Sequence, residues 1–346
     1  MKTRGLRARE IAVGNPRDFV RGPVLIKESV VVASRRAGAR GDGRTTCLRR
    51  SDLEILWDVS SEGLWWVEGQ GGRLVCSGGL KGDGVRSPED GRMLWRSVEI
   101  YGIRAWKQFA VAIARTGLWI ELRNFETGTT VRRIPVGDEP LEHGSGVIVG
   151  DRFFVGSATI RCFNLESGVL EWQRDVWREI DAHAGMEGDP GFLAPVPGTL
   201  GDRLISFYRN ATVAWSAVDG SVLWVRPGCR GTSSRPSAID GRIYGSFERD
   251  LWIIEERTGE LILRRKYPEF DGHLCYHEKQ AKAFQRRLAL PFETGGLAIF
   301  NMENGDLVDL YKSKYPLWQC EEADGRLLVA TGNGRLLAFD QSIWGL

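Results

Sequence analysis

The amino-acid sequence predicts an all-β protein, a β-propeller of eight four-stranded blades, and three observations carry that prediction. The first is a recurring phrase: an apolar run, an acidic or amide residue, one or two small polar residues, Gly, then an apolar residue and often Trp. It reads Pro88-Glu-Asp-Gly91-Arg-Met-Leu-Trp95, Leu165-Glu-Ser-Gly168-Val-Leu-Glu-Trp172 and Ala217-Val-Asp-Gly220-Ser-Val-Leu-Trp224. Weaker copies surround Gly128, Gly259 and Gly305, and Ser51 to Trp57 fits with Leu53 in the Gly place. The second is spacing. Anchors at 53, 91, 128, 168, 220, 259 and 305 stand 38, 37, 40, 52, 39 and 46 residues apart, and a period near 40 with strand chemistry is that of propeller blades. The third is local composition. Runs of four to seven residues rich in β-branched and aromatic side chains lie between Gly and Asp turns, which is how short strands read.

Each period repeats one order of elements. A variable, often aromatic stretch comes first. A turn ending in Gly or Asp, then Arg and an apolar run, gives the second strand: Gly72-Arg-Leu-Val, Asp151-Arg-Phe-Phe, Asp202-Arg-Leu-Ile, Gly241-Arg-Ile-Tyr and Gly325-Arg-Leu-Leu. The third strand runs into the acidic-Gly turn, and the fourth carries the Trp. After residue 316 three more strands follow, and the unattached strand Arg9–Gly14 supplies their fourth. Pairing the terminal strands closes the ring and removes an exposed sheet edge. Seven blades is the alternative if residues 20–57 fall short of a full blade. On this reading 1–346 is a single domain with long insertions at about 177–199 and 267–285, where the period lengthens.

Composition fits one soluble globular body, with 42% apolar, 10% aromatic and 27% charged residues. A net charge of +2 supplies no field drawing the whole molecule onto nucleic acid or anionic lipid. The 38 Arg against 9 Lys read as a coding bias and hint at a bacterial source. The cysteines, Cys47, Cys76, Cys162, Cys229, Cys275 and Cys320, are scattered without adjacent pairs and read as free thiols of a reducing compartment. No secretory leader and no apolar run of about 18 residues is visible. The expected location is the cytoplasm.

The phrase Leu-Glu-Ser-Gly168-Val-Leu-Glu-Trp172 and its cousins resemble the repeat of the quinoprotein-type (PQQ-like) propellers, whose consensus places Trp four positions after Gly. The resemblance covers nearly the whole chain. It implies a structural, blade-docking role for Trp57, Trp95, Trp172 and Trp224; Arg132, Leu263 and Asp309 occupy the same place without a Trp. The family's dehydrogenases carry a vicinal disulfide and calcium-binding carboxylates around their quinone. This chain has no adjacent cysteines, so the resemblance extends to the fold and not to the cofactor site, and no cofactor is expected.

Candidate chemistry is sparse. His273-Leu-Cys275-Tyr-His277 puts three soft ligands on one strand face, yet reads more simply as a buried thiol between two half-exposed histidines, and no metal is assigned. Asp181, His183, Glu187 and Asp189 cluster in the longer insertion, where carboxylates and a His serve general acid–base work or merely keep a loop solvated. The Gly-rich stretches 37–43 and 78–84 read as hairpin tips. The basic segment Lys279–Arg287 reads as a solvated turn of helix.

Position gives the better argument. First strands line the central channel, so Trp65, Trp66, Arg104, His143, Arg235, His277 and Trp318 gather near one mouth, with Asp181, His183 and His273 on the adjoining loops. Aromatic and Arg side chains in a concave mouth suit partner recognition. The expected function is a non-catalytic interaction module, binding a macromolecular partner through the mouth and long loops in complex assembly or immunity to a toxic partner. A protein partner, no membrane and no nucleic acid follow from that reading. The competing readings are a hydrolase or lyase using His143, His183 and His277, and a small-ligand or glycan binder using Trp65, Trp66 and Trp318.

Overall fold

The computed structural model describes residues 8–16, 18–36, 43–60, 66–70, 72–79, 82–141, 146–156, 159–176, 178–180, 196–197, 202–207, 211–229, 237–247, 249–268, 282–284, 286–292 and 295–340. Strand β1 (Arg9–Ala12) is followed by β2 (Asp18–Ile26), β3 (Ser29–Arg36), β4 (Gly43–Arg49) and β5 (Ile55–Ser60). Next come β6 (Trp66–Gln70), β7 (Arg73–Gly79), β8 (Gly82–Arg86) and β9 (Met93–Ser97), then β10 (Ile100–Trp106), β11 (Phe109–Ala114), β12 (Trp119–Asn124) and β13 (Thr130–Pro135). The middle of the chain holds β14 (Val147–Val149), β15 (Arg152–Gly156), β16 (Thr159–Asn164), β17 (Leu170–Asp175), β18 (Val196–Pro197), β19 (Arg203–Phe207), β20 (Ala211–Ser216) and β21 (Val222–Pro227). The last third holds β22 (Ser237–Ile239), β23 (Arg242–Phe247), β24 (Asp250–Glu255), β25 (Leu261–Lys266), β26 (Lys282–Phe284), β27 (Arg287–Phe292), β28 (Gly296–Asn301), β29 (Leu307–Lys312), β30 (Leu317–Ala323), β31 (Arg326–Thr331) and β32 (Arg335–Asp340).

These strands form eight four-stranded sheets, each a run of consecutive strands except one, whose order is β1-β32-β31-β30. The chain is therefore an eight-bladed β-propeller, and the seven-blade alternative falls because β2–β5 make a complete sheet. The blade at the end of the sequence takes its outer strand from residues 9–12, with Arg9 opposite Ala338 and Ala12 opposite Arg335. Within the basic segment, read from sequence as helical, the described residues 282–284 are extended instead. Lys282–Phe284 pairs with β27, Arg286 turns at φ 61°, and Arg287 opens the next strand. The helix-friendly residues there lost to the hydrogen bonds that a propeller's inner strand offers.

Two compact units emerge from the packing. One comprises Met1–Arg115, Leu122–Val131 and Lys282–Leu346, the other Thr116–Glu121 and Arg132–Ala281. In the first unit one core cluster joins Val13, Val20, Val30, Leu48 and Leu53 to Leu328, Leu336 and Ala338. In the second, Phe154, Cys162 and Trp172 pack with Val213 and Trp215. Small and β-branched residues of the second and third strands fill these cores, where pleated strands alternate faces.

The recurring phrase has a physical cause in the hairpin between third and fourth strands. Gly128 donates to Asn124 O and Asn124 donates to Thr129 O, both at 2.9 Å, while Asn124 Oδ1 caps the amides of Glu126 and Thr127. The Gly sits at φ 72°, a region where a side chain is strained. Just beyond the turn the ladder skips one residue. Leu48 pairs with Ile55 but Cys47 with Trp57, Phe163 with Leu170 but Cys162 with Trp172, and Trp215 with Val222 but Ala214 with Trp224. This bulge turns Leu56 and Leu223 outward and aims the Trp at the neighbouring blade. Exposed Leu56, Leu223 and Ile262 are bulge residues, each placed just before the aimed position.

Where the aimed residue lands explains the Gly. A Cβ on Gly91 would come within 2.7 Å of the Trp57 ring, one on Gly128 within 2.6 Å of Trp95, and one on Gly220 or Gly259 within 2.5 Å of Trp172 or Trp224. Each indole lies against the bare Cα of the next blade's turn. Three of them also donate Nε1 to that turn: Trp57 to Pro88 O at 2.9 Å, Trp95 to Phe125 O at 2.9 Å and Trp224 to Glu256 O at 3.0 Å. The Nε1 of Trp172 is buried with no hydrogen-bond partner. Arg132 does the same job with a guanidinium, lying over Gly168 and donating to the carbonyls of Glu166 and Ser167. Arg9 of β1 occupies the matching register and donates to Asp52 O at 3.1 Å. There the Gly place is taken by Leu53, at φ 63°.

Candidate functional site

First strands of neighbouring blades in the first unit pack side by side, β26 and β2 against β30, and β6 against β2. Three first strands of this unit carry a bulge two or three residues before the hairpin that leads to the second strand. The register slips between Arg21 and Val24 on β2, between Tyr101 and Arg104 on β10, and between Leu317 and Cys320 on β30. Bulges of this kind re-aim side chains. On β10 and β30 they produce a shared pattern in which every third residue is buried and the two between are half-buried.

The bulges are held by side chains of adjacent blades. Gly22 N donates to Gln319 Oε1 at 2.7 Å, and Gly102 N donates to Asp83 Oδ2 at 2.9 Å. Both glycines have positive φ, 91° and 68°, so the freed amide points where a strand amide normally does not. Asp83 and Gln319 satisfy donors that a bulge would otherwise strand.

The wall so formed offers mixed chemistry. Phe19 and Trp318 meet edge to face, with centroids 5.4 Å apart and planes at 78°, a geometry aromatic pairs favour. Trp318 Nε1 lies near Gly332, where an added Cβ would be 3.3 Å away. Arg104 Nη1 donates to Ile103 O at 2.9 Å. Lys282 Nζ and Glu321 Oε1 form an ion pair at 2.5 Å. Burial pushes the Tyr101 hydroxyl above its ordinary value, so it stays protonated and able to donate. Such a surface recognises amphipathic groups. Among the described residues no three His, Cys, Asp or Glu side chains gather as a metal site.

Of the residues singled out from sequence, Arg104 lies on β10 and Trp318 on β30, both half-buried on first strands. Trp66 begins β6. Trp65, His143, Arg235, His277, Asp181, His183 and His273 lie outside the described residues, as does each of the four histidines. Trp57, Trp95, Trp172 and Trp224 all sit on fourth strands, each against a glycine of the next turn. Sequence reasoning overlooked Phe19 and Asp83, and it placed Gln319 beside Trp318 without its partner Gly22. The signal available was a Gly inside each first-strand run, Gly22 and Gly102, since Gly within a strand marks a bulge.

A second grip was also overlooked, although its motif had been noticed. The Arg opening three of the second strands reaches the next blade's turn: Arg73 Nε to Glu126 Oε1 at 3.0 Å, Arg203 Nη1 to Glu256 O at 3.4 Å, and Arg326 Nη1 to Ser51 O at 2.7 Å. The five described cysteines, Cys47, Cys76, Cys162, Cys229 and Cys320, are free and buried. Burial pushes Cys76 up to about 11 and Cys162 up to about 12, so neither is an effective nucleophile.

Repeating bulges, glycine-seated indoles and eight four-stranded blades define a PQQ-like β-propeller. The sequence model of one protein family, described as outer membrane protein assembly factor BamB, matches residues 158–342, just over half the chain. The chain belongs to that family. Among solved structures it is similar to BamB from Moraxella catarrhalis, at 13% identity and TM-score 0.67, covering 96% of each chain. It is similar to Sqt1 of Saccharomyces cerevisiae, at 14% identity and TM-score 0.68, covering 98% of this chain and 99% of that one. It is also similar to the computationally designed Ika8 protein, at 12% identity and TM-score 0.70, covering 95% and 98%. At such identities the likeness is one of fold. No curated protein matches the sequence. Among the described residues no helix is long and apolar enough to cross a membrane.

Proposed function

We propose that this chain is a non-catalytic protein-interaction module that grips another protein through its first-strand wall, serving as an assembly scaffold. The observation that carries this reading is the half-buried Phe19–Trp318 pair on bulged strands. Trp318 packs against the core of Val13, Val20 and Leu328 and still leaves part of its indole exposed, so the bulged strands hold an aromatic pair at the edge of the core where a partner can reach it. Aromatic groups ringed by Arg, Lys and carboxylate side chains are what interface centres use. The family's description as an assembly factor supports the same class of work. The test is site-specific photo-crosslinking in the native host, from position 318 and, as control, from Leu223 on an outer edge. One identified protein should be captured at 318 and not at 223, and F19A/W318A should abolish its co-purification. Equal capture at both positions, or undiminished co-purification, would overturn the reading.

A cytoplasmic location belongs to the same proposal. Five buried thiols without disulfides fit a reducing compartment, whereas the family's description points to work at the outer membrane. Fractionation of the native host decides: recovery with the envelope would overturn the cytoplasmic placement while leaving the interaction reading intact.

A further inference from the structure

Each blade ends in an outer strand whose far edge has no ladder partner among the described residues, since every sheet stops at four strands. Such an edge offers a row of N–H and C=O groups to any extended chain, and proteins blunt it with a charge or a Pro. Seven of the eight outer strands carry at least one Arg or Lys, from Arg9 on β1 to Arg133 on β13 and Lys312 on β29. Pro135 on β13 and Pro227 on β21 add to them. The exception is β5, Ile55-Leu-Trp-Asp-Val-Ser60, which has neither a cation nor a Pro.

The bulge after the turn does not stand in for the missing guard. It recurs on β9, β17, β21, β25 and β29, and each of those strands carries a cation as well. Exposure agrees with the composition. On β5, Ile55 is 48% and Leu56 45% exposed, and Val59 is half-buried. The one charged residue of the strand, Asp58, accepts from Arg44 Nε at 2.9 Å and Nη2 at 2.6 Å. Arg44 belongs to β4 of the same blade, so this charge is closed within the blade and the edge is left apolar.

Neutrality selects the occupant. An acidic or a basic strand meets no opposite charge here, whereas a second copy of β5 brings matching apolar residues and opposes no like charge. Aligned antiparallel over its whole length, β5 sets Leu56 against Val59 of the copy and Trp57 against Asp58, each contact made twice by the two-fold axis. We propose that the outer edge of β5 pairs with β5 of a second copy of this chain, joining two four-stranded blades into one eight-stranded sheet. Six residues make a short ladder, so the association is weak and concentration-dependent. It leaves Phe19 untouched, because β2 forms the opposite edge of the same sheet.

Sedimentation velocity of the full chain across a wide concentration range tests this, and the sedimentation coefficient should climb from monomer to dimer. L56K supplies the missing charge at an exposed position and should raise the dissociation constant about tenfold or more. V131K, on a strand that already carries cations, should change nothing. Mixed L56C and V59C chains should form an interchain disulfide under mild oxidation, and neither chain should do so alone. A photo-crosslinker at position 56 in the native host should capture this same chain. A monomer at every concentration, an undiminished dimer in L56K, or capture of a different protein at position 56 would each overturn the proposal.

Discussion

The indole of Trp224 lies against Gly259 so closely that a Cβ there would come within 2.5 Å of the ring, and its Nε1 donates to Glu256 O at 3.0 Å. One side chain thus covers a neighbouring blade's turn and satisfies its carbonyl. Trp172 makes the equivalent contact with Gly220 but leaves Nε1 buried without a partner. The pair separates hydrogen bonding from packing. W224F should lower stability by about 1 kcal/mol, the usual net worth of such a bond, whereas W172F should be near neutral because it removes an unpaired buried donor. Urea unfolding midpoints of the two variants measure the difference. Equal losses would mean that the donor contributes nothing.

Glycine substitutions distinguish crowding from backbone strain. Gly220 and Gly241 have nearly equal φ, 72° and 71°, yet a Cβ on Gly220 meets Trp172 while one on Gly241 meets nothing within 4 Å. G241A should cost about 1 kcal/mol, the left-handed penalty alone. G220A should cost about 3 kcal/mol or more, because the indole must also move. Differential scanning calorimetry of the two single variants is sufficient.

Arg132 replaces an indole with a guanidinium that donates to Glu166 O and Ser167 O. Since Gly168 is bare, the seat is shaped for either group. R132W should retain stability within about 1 kcal/mol of wild type, while R132A should lose about 1–3 kcal/mol from lost packing and unmade hydrogen bonds. If both lose equally, the seat is specific to Arg.

At Leu53 two effects oppose one another. Its φ of 63° costs about 1–2 kcal/mol, but the side chain is buried in the cluster of Val30, Leu48 and Leu328, and emptying such a site costs about 2–5 kcal/mol. L53G should therefore destabilise despite restoring the Gly of the other turns. A stabilised L53G would show strain to be the larger effect.

Asp219 caps its turn by accepting from Ser221 N at 3.0 Å and from Ser221 Oγ at 2.8 Å. The Ser221 amide and the Ser216 and Ser221 hydroxyls hold its carboxyl down to about 2, below its ordinary 3.8. A carboxyl lowered by folding adds stability that is complete above the unfolded value and lost as pH falls from about 4 towards 2. D219N should thus be less stable than wild type at pH 6, with the gap closing across that window. Urea midpoints at pH 6, 4 and 2.5 follow it, and a constant gap would refute the assignment.

Much of the fold was legible because the turns are local. An Asn or Ser cap, a positive-φ Gly and a bulge two residues on are set by neighbours in sequence, and they repeat. The wall of Phe19, Trp318 and Gln319 was only half legible. Trp318 stood out by type and position, but Gln319 matters because it reaches Gly22 N, a residue 297 positions away. Nothing in a linear pattern announces such a contact. Residues 282–284 were misread for the same reason, their local helix preference yielding to a ladder partner.

The sequence by itself determined the propeller class, the strand order within blades and the pairing of residues 9–12 with the end of the chain, because hydrophobic period and turn chemistry act over a few residues. The complete sheet β2–β5 then decided eight blades over seven. Only the tertiary structure decided what the repeated Trp and Arg side chains touch. Those contacts depend on the approach of one blade to the next, and burial makes each such contact count.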